Sequence, residues 1–222
     1  MIGLVRGIHD YLGLYGGQVL RQTGWHAILS LVPVAIGLLI SIPLGWLANR
    51  VSWTYPPLVT LAGVLYTIPS LALFVLMPPI LGTRILDPIN VVVALSVYTV
   101  ALLVRVVADA LASVPDDVRQ SALAMGFNGF QRFLRIDLPV AVPVIAAGLR
   151  VAVVSNVSLV SVAAVIGIPQ LGQLFTIGFQ NSNYAPIVLG ILGCLILALI
   201  FDALILLALR LLTPWRVARG RS

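Results

Sequence analysis

The sequence predicts an all-α integral membrane protein with five transmembrane helices and one helical segment outside the bilayer. Three observations carry that expectation. Of 222 residues, 60% are hydrophobic and only 9% are charged, whereas a soluble domain carries about 25% charged residues. So uncharged a surface needs lipid or partner subunits to cover it. The apolar residues also gather in runs that satisfy the roughly 20 residues a helix needs to cross a bilayer. One more polar stretch, from Ser113 to Pro139, interrupts them.

The spans follow in order within a single transmembrane domain over residues 1–222. The first covers 27–48, AILSLVPVAIGLLISIPLGWLA, and the second 57–81, from Pro57 through YTIPSLALFVLMPPIL. The third covers 89–111, the fourth 139–166 and the fifth 186–212, PIVLGILGCLILALIFDALILLALRLL. Ahead of the first span, Tyr11 to Trp25 reads as a weak interfacial helix, with Trp25 suited to the headgroup zone. The N-terminus lacks the basic flank, short apolar core and small-residue cleavage site of a signal peptide, so the first span is expected to be retained. Pro33, Pro43, Pro69, Pro78 and Pro79 fall inside the spans. Such residues persist where neighbouring helices or a water-lined cavity satisfy the freed backbone groups, which favours a transport pathway over a plain anchor.

All 13 basic residues are Arg and all 7 acidic ones Asp. With the 112–137 connection in the cytoplasm, Arg50, Arg105, Arg119, Arg132, Arg135, Arg210, Arg216, Arg219 and Arg221 lie on that side, against Arg6, Arg21 and Arg84 outside. Cytoplasmic loops are enriched in arginine. The N-terminus is therefore expected outside and the C-terminus inside. The net charge of +6 sits mainly at helix ends, where lipid headgroups account for it without nucleic acid. The single cysteine, Cys194, lies in an apolar run and offers neither a disulfide nor a metal site.

The interrupting segment reads SVPDDVRQSALAMGFNGFQRFLRIDLP. Pro115 suits a first helical turn, and Asp116 and Asp117 follow where the helix dipole favours acids. Val118, Ala122 and Met125 recur at helical spacing, and Gly126 is placed to end the helix. Asn128 can cap a second short helix, with Gln131 three residues on. That helix is expected to expose Phe130, Phe133 and Leu134 beside Arg132 and Arg135. Two short helices joined at a glycine would form a cytoplasmic knob; an amphipathic connector lying on the membrane surface fits the same chemistry.

The segment resembles the cytoplasmic signature E-A-A-x3-G-x9-I-x-L-P of permeases from binding-protein-dependent ABC importers. Gln120-Ser121-Ala122, Gly126, Ile136, Leu138 and Pro139 stand at its spacing, with Gln120 in place of Glu and Ser121 in place of the first Ala. The resemblance implies a methionine-permease-like fold in a prokaryotic cytoplasmic membrane. It also implies a coupling helix, over 113–135, that docks a separate ATPase through Gln120, Ser121, Ala122, Met125, Gly126, Phe127, Phe130 and Arg132. ATP and Mg then belong to that partner, and this chain binds no cofactor. A second permease subunit is implied, either a copy or a sister chain, and the altered Gln120 favours the sister. YTIPSLALFVLMPPILG, LPVAVPVIAAGLRVA and the aspartate in LALIFDALILL resemble the osmoprotectant branch, which imports glycine betaine, carnitine, choline or proline betaine. That branch shows an IGAGGLG-like turn after the fourth span, where this chain has IGIPQLGQLF. No receptor-sized segment follows the fifth span, so a separate extracytoplasmic receptor is expected. Methionine and other amino-acid permeases share the five-span core.

Arg150 and Asp202 lie deepest among the ionisable residues, each about 15 Å from the cytoplasmic end of its span. Isolated charges at such depth are costly, so a structural ion pair between the fourth and fifth spans is expected. Ser155, Ser158 and Ser161 recur every three residues beside Asn156. They read either as helix-packing contacts or as a polar stripe along the pathway, completed by Thr67, Ser70, Ser96, Thr99 and Tyr98. Tyr66 and Tyr98 offer faces to a quaternary ammonium. Gly167 to Ala185 is too short and mixed to span and suits a re-entrant gate helix. No phosphate-binding loop, catalytic constellation or metal-ligand spacing appears, with His9 and His26 far apart. An enzyme is therefore the weakest reading; an ATP-independent channel or a membrane anchor are the alternatives of a different class.

Overall fold

The computed structural model describes residues 2–213, so Arg216, Arg219 and Arg221 fall outside the described residues. Every regular element is helical: α1 (Ile2–Arg50), α2 (Tyr55–Thr67), α3 (Ser70–Leu81), α4 (Pro88–Ala112), α5 (Asp116–Ala124), α6 (Gly129–Arg132), α7 (Leu138–Val162), α8 (Gln173–Gln180) and α9 (Tyr184–Leu212). Short tight turns precede α2 and follow α7, and a π-helical turn, Phe133–Asp137, joins α6 to α7. Four stretches among the described residues are long and apolar enough to cross a membrane: Val5–Arg50, Pro88–Ala112, Gly129–Ile166 and Tyr184–Leu211.

Two features differ from the sequence expectation. The second span is not one helix: Ser52–Thr67 and Ser70–Leu81 meet at 101°. Pro69, at φ −59° and ψ 132°, lacks an N–H, and its ring disfavours helix at Ile68. The turn is closed instead by Leu73 N–H donating to the Pro69 carbonyl at 3.1 Å. The N-terminal stretch is not a separate interfacial helix either. It continues into the first span as one helix of 49 residues, Ile2–Arg50, about 70 Å of axis where some 30 Å crosses hydrocarbon. Between Tyr11 and Trp25 there are glycines but no proline, and glycine weakens a helix without blocking it.

The chain forms two compact units. Of the described residues, one contains 2–36, 68–97 and 153–201; the other contains 37–67, 98–152 and 202–213. In the first, Leu29, Phe74, Leu95, Ile168, Leu171 and Leu174 are fully buried. In the second, Val107, Ala110, Leu111, Val114, Phe133, Ala141 and Ile145 form a core against which Leu38, Ile42 and Trp46 pack. Glycines set the closest approaches there. A Cβ on Gly45 would stand 2.6 Å from Val107 Cγ1 and 3.0 Å from the Ala108 backbone nitrogen, leaving no room to relax. α9 turns Leu192, Ile196, Leu199, Leu204 and Leu207 outward, an apolar surface suited to lipid.

Overpacking costs about 1–3 kcal/mol, and the α4 backbone cannot yield at Gly45. Gly45→Val is therefore expected to lower the midpoint of thermal unfolding in detergent and to broaden the gel-filtration peak. Gly63→Ala, where nothing lies within 4 Å, leaves both unchanged or slightly improved.

Candidate functional site

The interrupting segment folds as two short helices on a π-helical stalk. α5 opens after Pro115 with Asp116 and Asp117 in its first turn, where acids favour the helix dipole. It closes at Gly126, φ +80°, a left-handed conformation that glycine adopts without penalty. Phe127 N–H then donates back to the Ala122 carbonyl at 3.1 Å. Asn128 and Gln131 form a reciprocal capping box: Gln131 N–H donates to Asn128 Oδ1 at 2.9 Å, and Asn128 N–H to Gln131 Oε1 at 3.1 Å. Arg119 reaches back from α5, its Nη2 donating to the Leu111 carbonyl near the end of α4.

Three residues of this segment sit differently from their expected outward placement, and the first, Phe133, is buried in the core with Leu111 and Ile145. Ala122 is fully buried, because its Cβ faces the chain's own interior one turn before the glycine. Arg132 is held internally, its Nε 3.1 Å from Asp137 Oδ2. The five-residue separation matches the π-turn, which stacks residues i and i+5. The surface that remains is made by Met125, Phe130 and Leu123, at 67%, 57% and 55% exposure, beside exposed Gln120, Ser121 and Gly126 and half-buried Phe127.

Trp46 of α1 supports this surface from beneath and was not singled out by sequence. Its ring lies 5.1 Å from Phe133 and 6.3 Å, edge to face, from Phe130. The Arg50 guanidinium stands 5.3 Å from the Trp46 ring, within cation–π range. A tryptophan one turn before an arginine at a span's end was the available signal.

Arg150 of α7 and Asp202 of α9 are joined by two parallel bonds. Nε donates to Asp202 Oδ1 at 2.5 Å and Nη2 to Oδ2 at 2.9 Å. This bidentate fork suits the planar guanidinium.

The hydroxyls of the predicted stripe behave less uniformly. Thr67 Oγ1 donates to the Val64 carbonyl at 2.7 Å, Ser161 Oγ to the Ser158 carbonyl at 2.6 Å, and Ser96 Oγ to the Val92 carbonyl at 2.7 Å. Each thus satisfies its hydrogen on its own helix. Ser158 is exposed, Ser155 half-buried, and Ser70 half-buried at the start of α3. Tyr98 is buried, with its ring 5.7 Å from Tyr66 in an edge-to-face pair. Tyr66 also lines a cavity of about 290 Å3 with Ala62, Gly63, Ala101 and Arg105.

A buried polar cluster centres on His26, read from sequence only as an isolated histidine. His26 is fully buried, with Nδ1 3.0 Å from Gln170 Oε1 and Nε2 2.9 Å from the Val157 carbonyl. Gln170 also accepts from Gly172 N–H and donates to the Ser161 carbonyl at 3.2 Å. Nearby, Gln22 Nε2 donates to Gln173 Oε1 at 2.8 Å. The loop before α8 is thereby tied to α1 and α7. Gln170 stands where the sequence departs from a glycine-rich turn, and that departure was its signal. Among the described residues no three His, Cys or Asp side chains converge as a metal set.

Residues 27–216 match the family described as binding-protein-dependent transport system inner membrane component. The chain belongs to this family. Within it, the osmoprotectant import permease protein OsmW of Salmonella typhimurium is 34% identical over 200 residues, covering 89% of this chain and 93% of the relative. The glycine betaine/carnitine/choline transport system permease protein OpuCB of Bacillus subtilis is 28% identical, covering 92% and 93%. Among solved structures, the inward-facing MetNI methionine ABC transporter aligns with a TM-score of 0.69 at 23% identity, covering 88% of this chain and 95% of that one. The fold is thus that of ABC importer permeases. As a multi-pass inner-membrane permease, the chain is a transport subunit and not an enzyme; ATP hydrolysis belongs to a separate subunit.

Removing one member of a paired charge in the membrane leaves the other uncompensated. Asp202→Asn and Arg150→Gln are each expected to reduce the yield of monodisperse permease, and the double variant to lose less than the sum of the two. Additive losses in a double-mutant cycle would show that the pair is uncoupled. For the His26 cluster, His26→Ala leaves buried Gln170 short of a partner, at about 1–3 kcal/mol. Limited proteolysis should then cut within 167–183 faster than in the parent chain.

Proposed function

We propose that this chain forms the translocation pathway of an ATP-driven importer for a compatible solute of the quaternary-ammonium class, such as choline, carnitine, glycine betaine or proline betaine. The observation that supports the substrate class is the likeness, over nine-tenths of the chain, to a permease named for osmoprotectants and to one named for glycine betaine, carnitine and choline. For an amino-acid substrate, the methionine and amino-acid ABC transporter structures offer a fold likeness below 25% identity.

In this reading the N-terminus is outside and the C-terminus inside, and one single domain spans the membrane. The knob of α5 and α6 docks an ATPase subunit. Met125, Phe127 and Phe130 supply the apolar contact, Gln120, Ser121 and Gly126 its rim, and Ala122 and Arg132 hold its shape. A second permease subunit faces this one. A sister chain is favoured over a copy, because Gln120 lacks the carboxylate that the signature places there. A separate receptor delivers the solute outside. Closure of the ATPase pair then presses on the knob, and the spans switch between two packed arrangements. Ser155, Ser158 and Ser161, with Thr67, Ser70 and Tyr98, lie along the pathway, and the Arg150–Asp202 pair serves as structure.

Met125→Asp and Phe130→Asp place charge on the exposed apolar face without touching the buried Ala122. Both are expected to abolish co-purification of an ATPase subunit and at least 90% of ATP-dependent uptake of labelled choline or glycine betaine into proteoliposomes, about 1.4 kcal/mol or more of coupling. Retained ATPase in both variants would sink the docking assignment. Uptake of neither solute by the intact parent complex would sink the substrate class.

A further inference from the structure

Beyond the proposed pathway, the N-terminal turns of α1 and the connection after α8 line an open cavity of about 540 Å3, all within one compact unit. Its lining includes Asp10, Tyr11, Tyr15, Gln18, Asn181 and Asn183. Tyr11 and Tyr15 follow each other at i and i+4, so one helical face carries both rings; their centroids are 4.9 Å apart with planes inclined at 41°. Tyr11 is half-buried and Tyr15 is 47% exposed, so ring surface stays open to the cavity side. Asn183 is committed to its own chain, its Oδ1 accepting from Ala185 N–H at 3.0 Å.

The charge pattern is one-sided. Asp10 is the one charged group among the described lining residues; Arg6, a turn earlier on α1, is not among them. The partner of Asp10, His9, stands 3.8 Å away with both side chains largely exposed, a contact that water and salt screen. A carboxylate beside two electron-rich ring faces attracts a cation, and the rings do so without needing hydrogen-bond donors from it. No arginine or histidine lines the cavity among the described residues, so no cationic side chain there would balance a ligand carboxylate.

We infer that this cavity is a binding site for a small quaternary-ammonium cation, one that takes choline in preference to the zwitterion glycine betaine. The inference rests on the proposed substrate class and narrows it. In the proposed orientation the cavity lies at the outer end of α1, where solute arriving from outside would meet this chain. Its selectivity follows from repulsion: the Asp10 carboxylate that draws the ammonium opposes a carboxylate two bonds further along the same ligand.

The test is equilibrium dialysis of labelled tetramethylammonium, choline and glycine betaine against the full chain in nanodiscs, in parallel with uptake by the reconstituted importer. Tetramethylammonium and choline are expected to bind, and glycine betaine at least fivefold more weakly. Tyr11→Ala and Tyr15→Ala should each weaken choline roughly threefold to thirtyfold, while Tyr15→Phe, which keeps the ring, should restore most of it. Asp10→Asn should weaken choline and narrow its advantage over glycine betaine. Equal binding of the two solutes, or unchanged choline binding in both alanine variants, would overturn the site. If the parent imports either solute while tetramethylammonium fails to bind, the site falls and the importer reading stands. If tetramethylammonium binds with the expected variant pattern while neither solute is imported, the site stands as a cation site and the transported class is wrong.

Discussion

Hydrocarbon contains no water to repair a backbone group that folding leaves open, and that constraint orders the rest of this structure. Every regular element described is helical, so each segment carries its hydrogen-bond partners with it. Where proline removes a donor, the break is closed locally: at Pro69 the chain turns sharply and restarts with a bond to the Pro69 carbonyl. Where side-chain polarity enters the apolar zone it is mostly paired, as Arg150 is by Asp202 and His26 by Gln170 and the Val157 carbonyl, with the buried Ser41 hydroxyl an exception. Hydroxyls fold back on their own helices for the same reason.

A different constraint, helix length, explains why the outward knob is so heavily tied from within. α5 and α6 are too short to be stable by themselves. Their shape is fixed by the Asn128–Gln131 box, by Arg119 on the Leu111 carbonyl, by Arg132 on Asp137 and by Trp46 beneath Phe130 and Phe133. Because Trp46 belongs to α1, the apolar surface of the knob rests directly on a membrane-crossing helix. A push on Phe130 therefore meets packed aromatic rings, which are stiff, and not a loop that would absorb it.

Much of this is written in the sequence, and unevenly. Long apolar runs place the helices because lipid demands length and hydrophobicity, and both are additive along a chain. The capping box is legible because Asn128 and Gln131 act across three residues. Equal distance from their span ends put Arg150 and Asp202 within reach of one another, and the structure hydrogen-bonds them. The bend at Pro69 was not legible, since proline permits anything from a slight kink to a full break and neighbouring helices decide. The inward turn of Ala122 was hidden for a similar reason: a small residue at helical spacing suits a face packed on its own chain as well as one offered to a partner. His26 was invisible because its partners lie more than 100 residues away.

The π-turn at Phe133–Asp137 carries one residue more than an α-helical turn would use. A helix advances about 100° per residue, so that single residue sets the rotational phase between the knob and the span that follows it. Inserting or deleting one amino acid here would re-aim the exposed face of the knob and shift Arg132 out of register with Asp137. The phase would also be heritable as a unit, so two sister chains that share their surface residues but differ in length at this turn would present the same chemistry on different bearings.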